Sequence, residues 1–457
     1  MSISRARTLA FDILRAVETK EAHAGDLLHE RLDAKIKPQD AALATELTLG
    51  VLRWQGLLDF LAEQHTKTPT SELDPEVRIA LRLGLYQLRY LSRVPARAAV
   101  NESVELVKRA RKKSAAGLVN AVLRRLAESA REPIEPLLPS GLSAAERLAI
   151  LHSHPAWLVE RWLERFGESR TIALLEANNR APRMVVAVHA TADTAAVAAE
   201  LQGSGMKVGP GQWLRSALVV EGGAAGLAIA RSTAYRSGKI SIQDEASRMI
   251  PLLLDARPGQ RVLDLCSAPG GKTISLALAV GPSGRVVAAD IHPERLRSVE
   301  EQAGRVGLKN VEVAALDATQ PLPFREKFDR VLVDAPCSGT GTLGRNPEIR
   351  WRLRPEGLAD FRRRQVALLE NASVVLAPGG VLVYATCSLE PEENEEVVSE
   401  FLASHPDVRR ANAGEFLAGN LVEPGGVGRL VDAEGCFRTF PPEHQTDGFY
   451  GAVLGRE

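Results

Sequence analysis

The sequence has 457 residues, of which 45% are apolar and 25% are charged. A single hydrophobic core stops growing at roughly 250 to 300 residues, so this length and composition predict two or three soluble domains in one chain. The 57 basic and 57 acidic residues cancel, which excludes nucleic-acid binding through overall charge and leaves that task to local basic patches.

The chain contains four cysteines, and no two of them form a C-x-x-C pair: Cys266, Cys337, Cys387 and Cys436. This spacing argues against a disulfide framework and against zinc, and we predict no metal site. No apolar run approaches the roughly 18 residues of a membrane helix, and charged residues interrupt the first 20 positions, so we predict neither a membrane span nor an export signal. We therefore expect a cytoplasmic protein, and a monomer.

Residues 1–130 are predicted to form an all-helical domain. Apolar side chains recur there at helical spacing, as at Leu81, Leu85 and Leu88, and strand-like alternation is nearly absent. The domain has 21 basic and 16 acidic residues, and much of the excess lies in one run, Lys108, Arg109, Arg111, Lys112 and Lys113. This run predicts either a solvated helix face or a contact with RNA phosphates, and the sequence does not decide between them.

Residues 131–238 are predicted to contain a linker and a small α/β connecting domain. Three prolines between Arg131 and Gly141 cannot continue a helix, because proline lacks the amide donor and clashes with the preceding turn. Beyond them, helical patterns alternate with short strand-like runs such as Met184–His189 and Ala217–Val220. This mixture is typical of an α/β fold.

Residues 239–457 are predicted to form a Rossmann-like α/β domain with a doubly wound, mostly parallel sheet. Five β-rich runs alternate with helix-length segments: Arg261–Cys266, Arg285–Ile291, Val311–Leu316, Arg330–Asp334 and Val381–Thr386. Such alternation is typical of parallel strands joined by crossover helices. Two late runs, around residues 436–440 and 449–454, are predicted to add antiparallel strands at the edge of the sheet.

A glycine-containing turn follows the first predicted strand of this sheet, in the order Asp264-Leu265-Cys266-Ser267-Ala268-Pro269-Gly270-Gly271-Lys272-Thr273. Two glycines before a helix let the backbone approach a ligand closely. A P-loop requires glycine where Cys266 stands, and a dinucleotide fold requires G-x-G-x-x-G, so the sequence disfavours both. The turn is therefore predicted to bind another small molecule.

Aspartates end the next three predicted strands, at Asp290, Asp317 and Asp334. Ligands bind at the carboxyl ends of strands in open α/β sheets, where an acidic side chain accepts hydrogen bonds from ribose hydroxyls. Any one of the three aspartates would also be explained as the cap of a helix or turn. As a series without phosphate-binding glycines they favour a nucleoside with a cationic sulfonium, and we predict S-adenosylmethionine as the cofactor.

Two cysteines also follow strand ends, Cys337 after the fourth strand and Cys387 after the fifth. We expect both thiols to open onto the cofactor cleft, with Asp334 beside them. Carbon 5 of cytosine is too electron-poor to accept a methyl group until a thiolate adds to carbon 6, and cysteine suits that covalent step. Asp334 is predicted to stabilise the charge that develops on the base. Which cysteine attacks stays open here, whereas Cys266 and Cys436 are expected to be buried and inert.

Four ordered motifs resemble the RNA cytosine-5 methyltransferase family. They lie at residues 264–273, 334–341 (Asp-Ala-Pro-Cys-Ser-Gly-Thr-Gly), 345–351 (Arg-Asn-Pro-Glu-Ile-Arg-Trp) and 386–388 (Thr-Cys-Ser). The helical domain resembles the transcription antitermination factor NusB, through residues 83–88, 94–95, 100–104 and 119–124. The combination is similar to the bacterial branch of the family that acts on 16S ribosomal RNA.

The resemblance implies roles for individual residues. The thiol of the Thr-Cys-Ser motif, Cys387, is the nucleophile, and the thiol of the Pro-Cys-Ser motif, Cys337, helps to release the product. The implied cofactor contacts are Cys266, Ser267, Ala268, Pro269, Gly270, Gly271, Lys272, Asp290, Asp317 and Asp334. Ser267 stands where many relatives have alanine. The implied partner is 16S ribosomal RNA or its precursor, with the cytidine at position 967 as the target, in a class I methyltransferase fold.

Several alternatives stay open beside the resemblance. For Lys272 they are a surface charge at a helix start and a role near the cofactor or cytosine. Arg345, Arg350, Arg352 and Arg354, with Trp351 among them, are predicted either to hold phosphates and stack a base or to form a solvated helix start. The alternative functions are a transfer RNA cytosine-5 methyltransferase and a non-catalytic RNA-binding scaffold in assembly or antitermination.

Overall fold

The structure is a computed structural model that describes residues 3–20, 22–32, 36–222 and 225–456. These residues form two compact units. The first covers the described chain up to Ala181 together with Leu343–Leu353, and the second covers Pro182–Thr342 and the chain from Arg354 onward. The domain limits predicted at residues 130 and 238 divide the chain by sequence pattern and remain predictions. The first and last residues of the predicted domains, Met1 and Glu457, lie outside the described residues.

The first unit consists of helices, as predicted for the amino-terminal domain. In chain order they are α1 (Arg5–Lys20), α2 (Ala24–Arg31), α3 (Pro38–Glu63), α4 (Pro75–Tyr90), α5 (Ala96–Arg109), α6 (Ala116–Leu126), α7 (Ala144–His152) and α8 (Ala156–Asn179). Proline occupies the first position of α3 and of α4, where its missing amide hydrogen costs no intrahelical bond. The apolar faces of α1 to α6 meet in one core, in which Phe11, Leu47 and Leu58 are fully buried.

The segment Leu343–Leu353, which contains the Arg-Asn-Pro-Glu-Ile-Arg-Trp motif, belongs to this helical unit. The side chain of Arg350 is fully buried. It donates hydrogen bonds to the carbonyl oxygens of Ser153 and Asn178, at 3.1 and 3.0 Å, and to Oδ1 of Asn179 at 2.8 Å. Arg350 is therefore neither solvated nor available to an RNA phosphate, and both alternatives predicted for it are wrong.

The side chains next to Arg350 in this segment also donate hydrogen bonds to backbone carbonyl groups of the helical unit. Nε1 of Trp351 donates to the carbonyl oxygen of Leu52 at 2.9 Å. Arg352 donates to the carbonyl oxygens of Val17 and Ala22, at 3.0 and 2.7 Å. Because these donors already have partners inside the helical unit, they attach the segment to the helices. The sequence had predicted a base-stacking or solvated surface at these positions.

Three cations of the basic run in α5 and beyond are paired with carboxylates. Lys108 pairs within its own helix, Arg109 lies 2.8 Å from Asp12, and Lys112 lies 2.9 Å from Asp74. The paired side chains are partly or largely exposed, and such surface pairs contribute about 0–1 kcal/mol each. Of the two alternatives left open for the run, the pairing favours the solvated helix face.

The second unit begins with a small α/β layer, as predicted for the connecting region. Its strands are β1 (Met184–Val188), β2 (Lys207–Pro210), β3 (Ala217–Glu221) and β4 (Ile240–Ile242), with helices α9 (Thr194–Gly203), α10 (Ala225–Arg231) and α11 (Thr233–Arg236). The sheet has the order β2-β3-β1-β4, and every pairing is antiparallel. Val186, Val188 and Leu218 pack against Ile229 of α10, so the layer has a small core of its own.

The rest of the second unit is built on one large sheet. Its strands are β5 (Arg261–Leu265), β6 (Arg285–Asp290), β7 (Val311–Ala315), β8 (Phe328–Asp334), β9 (Leu376–Thr386), β10 (Val408–Ala411), β11 (Phe437–Arg438) and β12 (Tyr450–Arg456). The helices of this part of the chain are α12 (Glu245–Leu252), α13 (Gly271–Val280), α14 (Pro293–Val306), α15 (Ile349–Arg352, within the first unit), α16 (Gly357–Val374), α17 (Glu395–Ser404), α18 (Gly414–Leu417) and α19 (Pro441–His444).

The strand order confirms the predicted doubly wound sheet. It is β10-β12-β9-β8-β5-β6-β7, with β11 paired to β12. Strands β5 to β9 are parallel, and β12 is antiparallel to β9 and β10. The two late runs, around 436–440 and 449–454, form the antiparallel strands β11 and β12 at this end of the sheet, as predicted, and β10 adds a further strand beyond β12. The pattern Val-Arg-Arg-Ala of β10 shows no apolar alternation because it is a charged edge strand.

Side chains of the central strands alternate between two packed layers. Leu263, Leu265 and Val333 face one layer, and Val262 and Leu332 face the other. This burial on both faces is typical of a parallel sheet covered by helices. The carboxyl ends of β5, β6, β8 and β9 consequently meet along one edge, where the candidate site lies. Among the described residues, no helix has the length and apolar character needed to cross a membrane.

Candidate active site

The turn after β5 has a backbone conformation that few residue types adopt. Cys266 has a φ of 60° and Gly270 a φ of 109°, in the left-handed region where most side chains are strained. A Cβ atom on Gly270 would also lie 3.0 Å from the Cα of Val299. The Ala268-Pro269 peptide bond between them is cis, and α13 begins directly afterwards at Gly271. The turn therefore presents the unbonded amides of a helix start toward the strand ends.

Two buried oxygen atoms beside this turn, Oγ of Ser267 and Oδ1 of Asp264, have no hydrogen-bond partner among the described residues. The other oxygen of Asp264 accepts a hydrogen bond from Oγ1 of Thr273 at 2.6 Å. Burial raises the pKa of Asp264 to about 7 despite that bond, and the charges of Asp334 and Asp290 add to the rise. An unpartnered buried polar atom costs about 1–3 kcal/mol, so the two oxygens indicate room for a polar ligand.

The aspartates after β6 and β7 lie in different environments. Asp290 is buried, and its carboxylate accepts from the backbone amides of Ala268 and His292, at 3.3 and 3.0 Å. Asp317 is exposed, and its Oδ1 accepts from the amide and the hydroxyl of Thr319, at 3.0 and 2.7 Å. Asp290 thus lies against the glycine turn, whereas Asp317 closes a turn at the end of the neighbouring strand.

Lys272, in the first turn of α13, forms an ion pair with Asp334 at the end of β8. The distance from Nζ to Oδ2 is 2.6 Å, and the side chains are 14% and 25% exposed. Nζ also lies 5.4 Å from the ring centroid of Phe449. Burial alone would lower the pKa of Lys272, but the carboxylate of Asp334 outweighs burial and raises it. Lys272 is therefore a charged group within the site, and the surface-charge alternative is wrong.

The two cysteines at strand ends meet, as their positions predicted. Cys337 follows β8 and Cys387 follows β9, and these strands pair in parallel. The two Sγ atoms lie 3.3 Å apart, and both residues are partly buried. The hydrogen bond with Cys387, together with burial, raises the pKa of Cys337 well above its ordinary value. Asp334 pairs with Ala385 across β8 and β9, two residues before Cys387, so the Lys272–Asp334 pair and the thiols lie at the same strand ends.

A buried carboxylate that the sequence did not single out adjoins the two cysteine loops. Glu393 is fully buried and accepts hydrogen bonds from the backbone amide of Ser338 at 2.8 Å and from the hydroxyl of Ser388 at 2.5 Å. In the sequence it lies within an acidic run, Glu390-Pro-Glu-Glu-Asn-Glu-Glu396, which is typical of a solvated helix start. The one sequence signal that places Glu393 near the site is its position six residues after Cys387.

Of the other two cysteines, which were expected to be buried and inert, Cys436 is buried and Cys266 is only partly buried. Burial raises the pKa of Cys266, and the charge of Asp290 adds to the rise. Cys436 is buried, its Sγ lies 3.3 Å from the hydroxyl of Tyr450, and burial raises its pKa as well. A raised pKa leaves little thiolate near neutral pH, so neither thiol is ready to attack a substrate.

The donors and acceptors at the strand ends fit a nucleoside with a positive charge. Asp290 and Asp334 supply carboxylates, Asp264 and Ser267 supply unpartnered oxygen atoms, and the cation Lys272 is already paired. An anionic polyphosphate would meet these carboxylates unfavourably. In the part of the chain that the structure describes, no group of three or more histidine, cysteine, aspartate or glutamate residues is arranged to hold a metal ion.

Three family models match the chain in the order of its sequence regions. Residues 4–128 match the NusB family. Residues 154–225 match a ferredoxin-like domain described as RsmF/B-like methyltransferase. Residues 251–455 match the model described as 16S rRNA methyltransferase RsmB/F. The last match contains the glycine turn, both cysteine loops and Glu393.

Similar proteins cover the whole chain. A probable ribosomal RNA small subunit methyltransferase B of Synechocystis is 35% identical, over 98% of this chain and 99% of its own. The ribosomal RNA small subunit methyltransferase B of Pseudomonas putida is also 35% identical, over 98% of each chain. Among solved structures, that of the protein PH0851 has a TM-score of 0.81 at 27% identity and covers 99% of both chains.

Proposed function

Because the chain belongs to the RsmB/F family of 16S rRNA methyltransferases, we propose that it methylates carbon 5 of a cytosine in 16S rRNA through a covalent bond to Cys387. One observation carries the proposal: the sulfur of Cys387 lies 3.3 Å from that of Cys337, beside the Lys272–Asp334 pair. This cluster combines a nucleophile, a second thiol and a charged pair for the base, as cytosine-5 chemistry requires.

The cofactor is S-adenosylmethionine, which supplies an electrophilic methyl group when bound. The residues that would hold it are the turn from Cys266 to Lys272, with Asp290, Asp317 and Asp334 at the strand ends. Asp290 adjoins the turn and suits the ribose hydroxyls. Asp317 is exposed at the next strand end and is assigned to the adenine side. The unpartnered oxygen atoms of Ser267 and Asp264 suit donor groups of the same molecule.

The covalent bond to the RNA would form and break at one residue, Cys387. The thiolate of Cys387 adds to carbon 6 of cytosine, and a carbon–sulfur bond forms at the expense of the double bond between carbons 5 and 6. Carbon 5 thereby becomes nucleophilic and accepts the methyl group of the cofactor, which would leave as the uncharged thioether. A base then removes the proton from carbon 5, the double bond between carbons 5 and 6 re-forms, and the carbon–sulfur bond breaks to return the thiolate. Cys337, within 3.3 Å of the attacking sulfur, assists this release.

The choice of Cys387 as nucleophile rests on the family resemblance, because Cys387 is the thiol of the Thr-Cys-Ser motif. The thiolate is the attacking form of a cysteine. We assign attack to Cys387 and assign Asp334, with Lys272, to the polar edge of the cytosine, where charge develops on addition.

The target base must leave its stack to reach this site, and extrusion costs a few kcal/mol in a duplex and less in a loop. We therefore propose a cytosine in a single-stranded or loop segment of 16S rRNA, free or in a pre-ribosomal particle. The helical domain, residues 1–130, and the connecting domain, residues 131–238, are proposed to position the RNA. A monomer acting in the cytoplasm, where ribosomal RNA is assembled, fits this role.

The test compares Cys387→Ala with Cys337→Ala on unmethylated 16S rRNA and methyl-labelled cofactor. We expect Cys387→Ala to abolish transfer, and Cys337→Ala to accumulate a protein–RNA adduct that survives denaturing electrophoresis. An adduct from Cys387→Ala instead would exchange the two roles. Bisulfite sequencing of the product locates 5-methylcytosine. Methylation of transfer RNA but not 16S rRNA, or RNA binding by the wild type without transfer, would favour the alternative enzyme or the non-catalytic scaffold.

A further inference from the structure

The carboxylate of Glu393 is buried and accepts four hydrogen bonds. Oε1 accepts from the backbone amide of Ser338 at 2.8 Å and from Nε2 of Gln365 at 3.1 Å. Oε2 accepts from the hydroxyl of Ser388 at 2.5 Å and from the hydroxyl of Ser338. All four donors are neutral, so the carboxylate is held by hydrogen bonds where an ion pair would be the usual partner of a buried charge.

Glu393 makes equivalent contacts with the two cysteine loops. Ser338 directly follows Cys337, and Ser388 directly follows Cys387, 50 residues further along the chain. Both serine hydroxyls bind the same oxygen of Glu393, and their Oγ atoms lie 3.0 Å apart. The two thiols thus belong to two loops that are joined, one residue away, through a single carboxylate oxygen.

The backbone around Glu393 is fixed to the strand that ends at the second cysteine. The hydroxyl of Tyr384, in β9, donates to the carbonyl oxygen of Glu393 at 2.6 Å. Asn394 accepts from Oγ1 of Thr386 at 2.5 Å and donates to the carbonyl oxygen of Ser388 at 2.9 Å. Because these contacts hold its main chain on both sides, Glu393 has little freedom to follow one loop if that loop shifts.

We propose that Glu393 is a positioning residue for the transfer reaction: its carboxylate joins the loops of Cys337 and Cys387 through Ser338 and Ser388 and so fixes the second thiol beside the attacking one. The assignment rests on the proposed function, because it concerns the release step assigned to Cys337. Glu393 does not contact the reacting atoms; it acts through the serines. The separation of 3.3 Å between the sulfurs is the quantity that it sets.

The surroundings of Glu393 also connect it with the thiol of the first loop. It is one of the groups that raise the pKa of Cys337, after the hydrogen bond with Cys387 and burial. Burial raises the pKa of Glu393 itself, and the hydrogen bonds from Ser338, Ser388 and Gln365 oppose that rise.

Glu393→Gln is the informative variant. The glutamine carbonyl replaces Oε1 and still accepts from Ser338 N and Gln365, but its amide group must donate to the two serine hydroxyls, which then have to turn their own hydrogens away. Side-chain volume is kept, and the charge-assisted bridge is replaced by weaker neutral hydrogen bonds of opposite direction. Glu396→Gln is the matched control, because Glu396 lies in the same acidic run and pairs with Arg362 at the surface. Ser338→Ala removes one hydroxyl of the bridge and serves if Glu393→Gln does not fold.

The first readout separates positioning from general damage. With 16S rRNA and cofactor, Glu393→Gln is expected to form the covalent adduct at the wild-type rate and to release it about 100-fold more slowly, since a shift of about 1 Å at a reacting group can cost that factor. The adduct should therefore accumulate, as expected for Cys337→Ala. Equal losses in adduct formation and release would indicate a purely structural role and overturn the proposal.

The second readout needs no RNA. Phenylarsine oxide binds two thiols that lie close together, and the wild-type protein should bind it through Cys337 and Cys387. We expect Glu393→Gln to bind about tenfold more weakly, because a loosened pair loses the advantage of two attachments, with Glu396→Gln unchanged. Unchanged binding by Glu393→Gln would overturn the proposal. If the wild type methylates no RNA cytosine, the proposed function fails, and this measurement still decides whether Glu393 sets the thiol pair.

Discussion

Nζ of Lys272 lies 2.6 Å from Oδ2 of Asp334, and this pair joins the cofactor turn to the thiol loop. Lys272 is the second residue of α13, directly after the glycine turn, and Asp334 ends β8 three residues before Cys337. The pair is only partly exposed, so its mutual attraction is stronger than that of a surface pair. One cation thus adjoins both the place predicted for the cofactor and the place predicted for the base.

We expect Lys272→Met to lower kcat/KM for methyl transfer by about 100-fold or more, the usual effect of removing a group that stabilises developing charge. The methionine fills the space of the lysine stem but leaves Asp334 without its partner. Steady-state kinetics with labelled cofactor measures the loss. Lys309→Met, at an exposed lysine of the same unit, is the control and should retain wild-type kinetics. Wild-type rates for Lys272→Met would show that the ion pair has no part in catalysis.

The loop of Cys337 approaches another backbone so closely that only glycine fits at Gly341. A Cβ there would lie 2.1 Å from the carbonyl oxygen of Gly448. The amide of Gly341 donates to the carbonyl oxygen of Cys387 at 2.9 Å, so the same residue ties the two cysteine loops. We expect Gly341→Ala to destabilise the protein by about 1–3 kcal/mol, as overpacking does, and to lower activity.

Thermal unfolding checks the effect of Gly341→Ala against Gly357→Ala. Gly357 opens α16, and a Cβ there meets nothing within 4 Å. Because alanine restricts the unfolded chain more than glycine, that control should be neutral or slightly stabilising. Similar melting temperatures for the two variants would contradict the close approach of Gly341 to the backbone of Gly448.

The fold and the outline of the site could be predicted from the sequence, because each depended on local pattern. Helical spacing predicted the helices of residues 1–130, and alternating strand and helix signals predicted β5 to β9 and their parallel sheet. Once strands are parallel, their carboxyl ends share an edge, so Cys337 and Cys387 had to come near each other. The pattern could not give their 3.3 Å separation, which depends on side-chain packing.

Two features escaped prediction because polar residues are normally exposed. Glu393 lies in an acidic run, and Arg350 in a run of arginines, yet both side chains are fully buried. Their burial is possible only because donors or acceptors from distant positions converge on them: Ser338, 55 residues away, on Glu393, and the carbonyl of Ser153, almost 200 residues away, on Arg350. No sequence window contains that information.

Arg350 is expected to stabilise the helical unit without binding RNA. Its removal leaves several buried carbonyl groups without a donor, at about 1–3 kcal/mol each. Arg350→Met should therefore lower the free energy of unfolding by at least about 3 kcal/mol, measured by urea denaturation, whereas Arg363→Met on the exposed face of α16 should change it by less than about 0.5 kcal/mol. If the Arg350→Met protein were fully stable but bound RNA more weakly, Arg350 would be a phosphate-binding residue after all.

Asp264 is expected to make the ligand-free protein less stable as pH rises from about 4 to 7. Burial raises its pKa to about 7, whereas an unfolded aspartate titrates near about 3.9. Between these values the unfolded chain has lost the proton that the folded chain retains, so the free energy of unfolding falls with pH, by about 4 kcal/mol at 1.36 kcal/mol per pH unit. Urea denaturation from pH 4 to 8 should show this fall in the wild type and in Asp255→Asn, altered at a partly exposed aspartate, but not in Asp264→Asn. Parallel pH profiles for all three proteins would mean that Asp264 is ionised throughout.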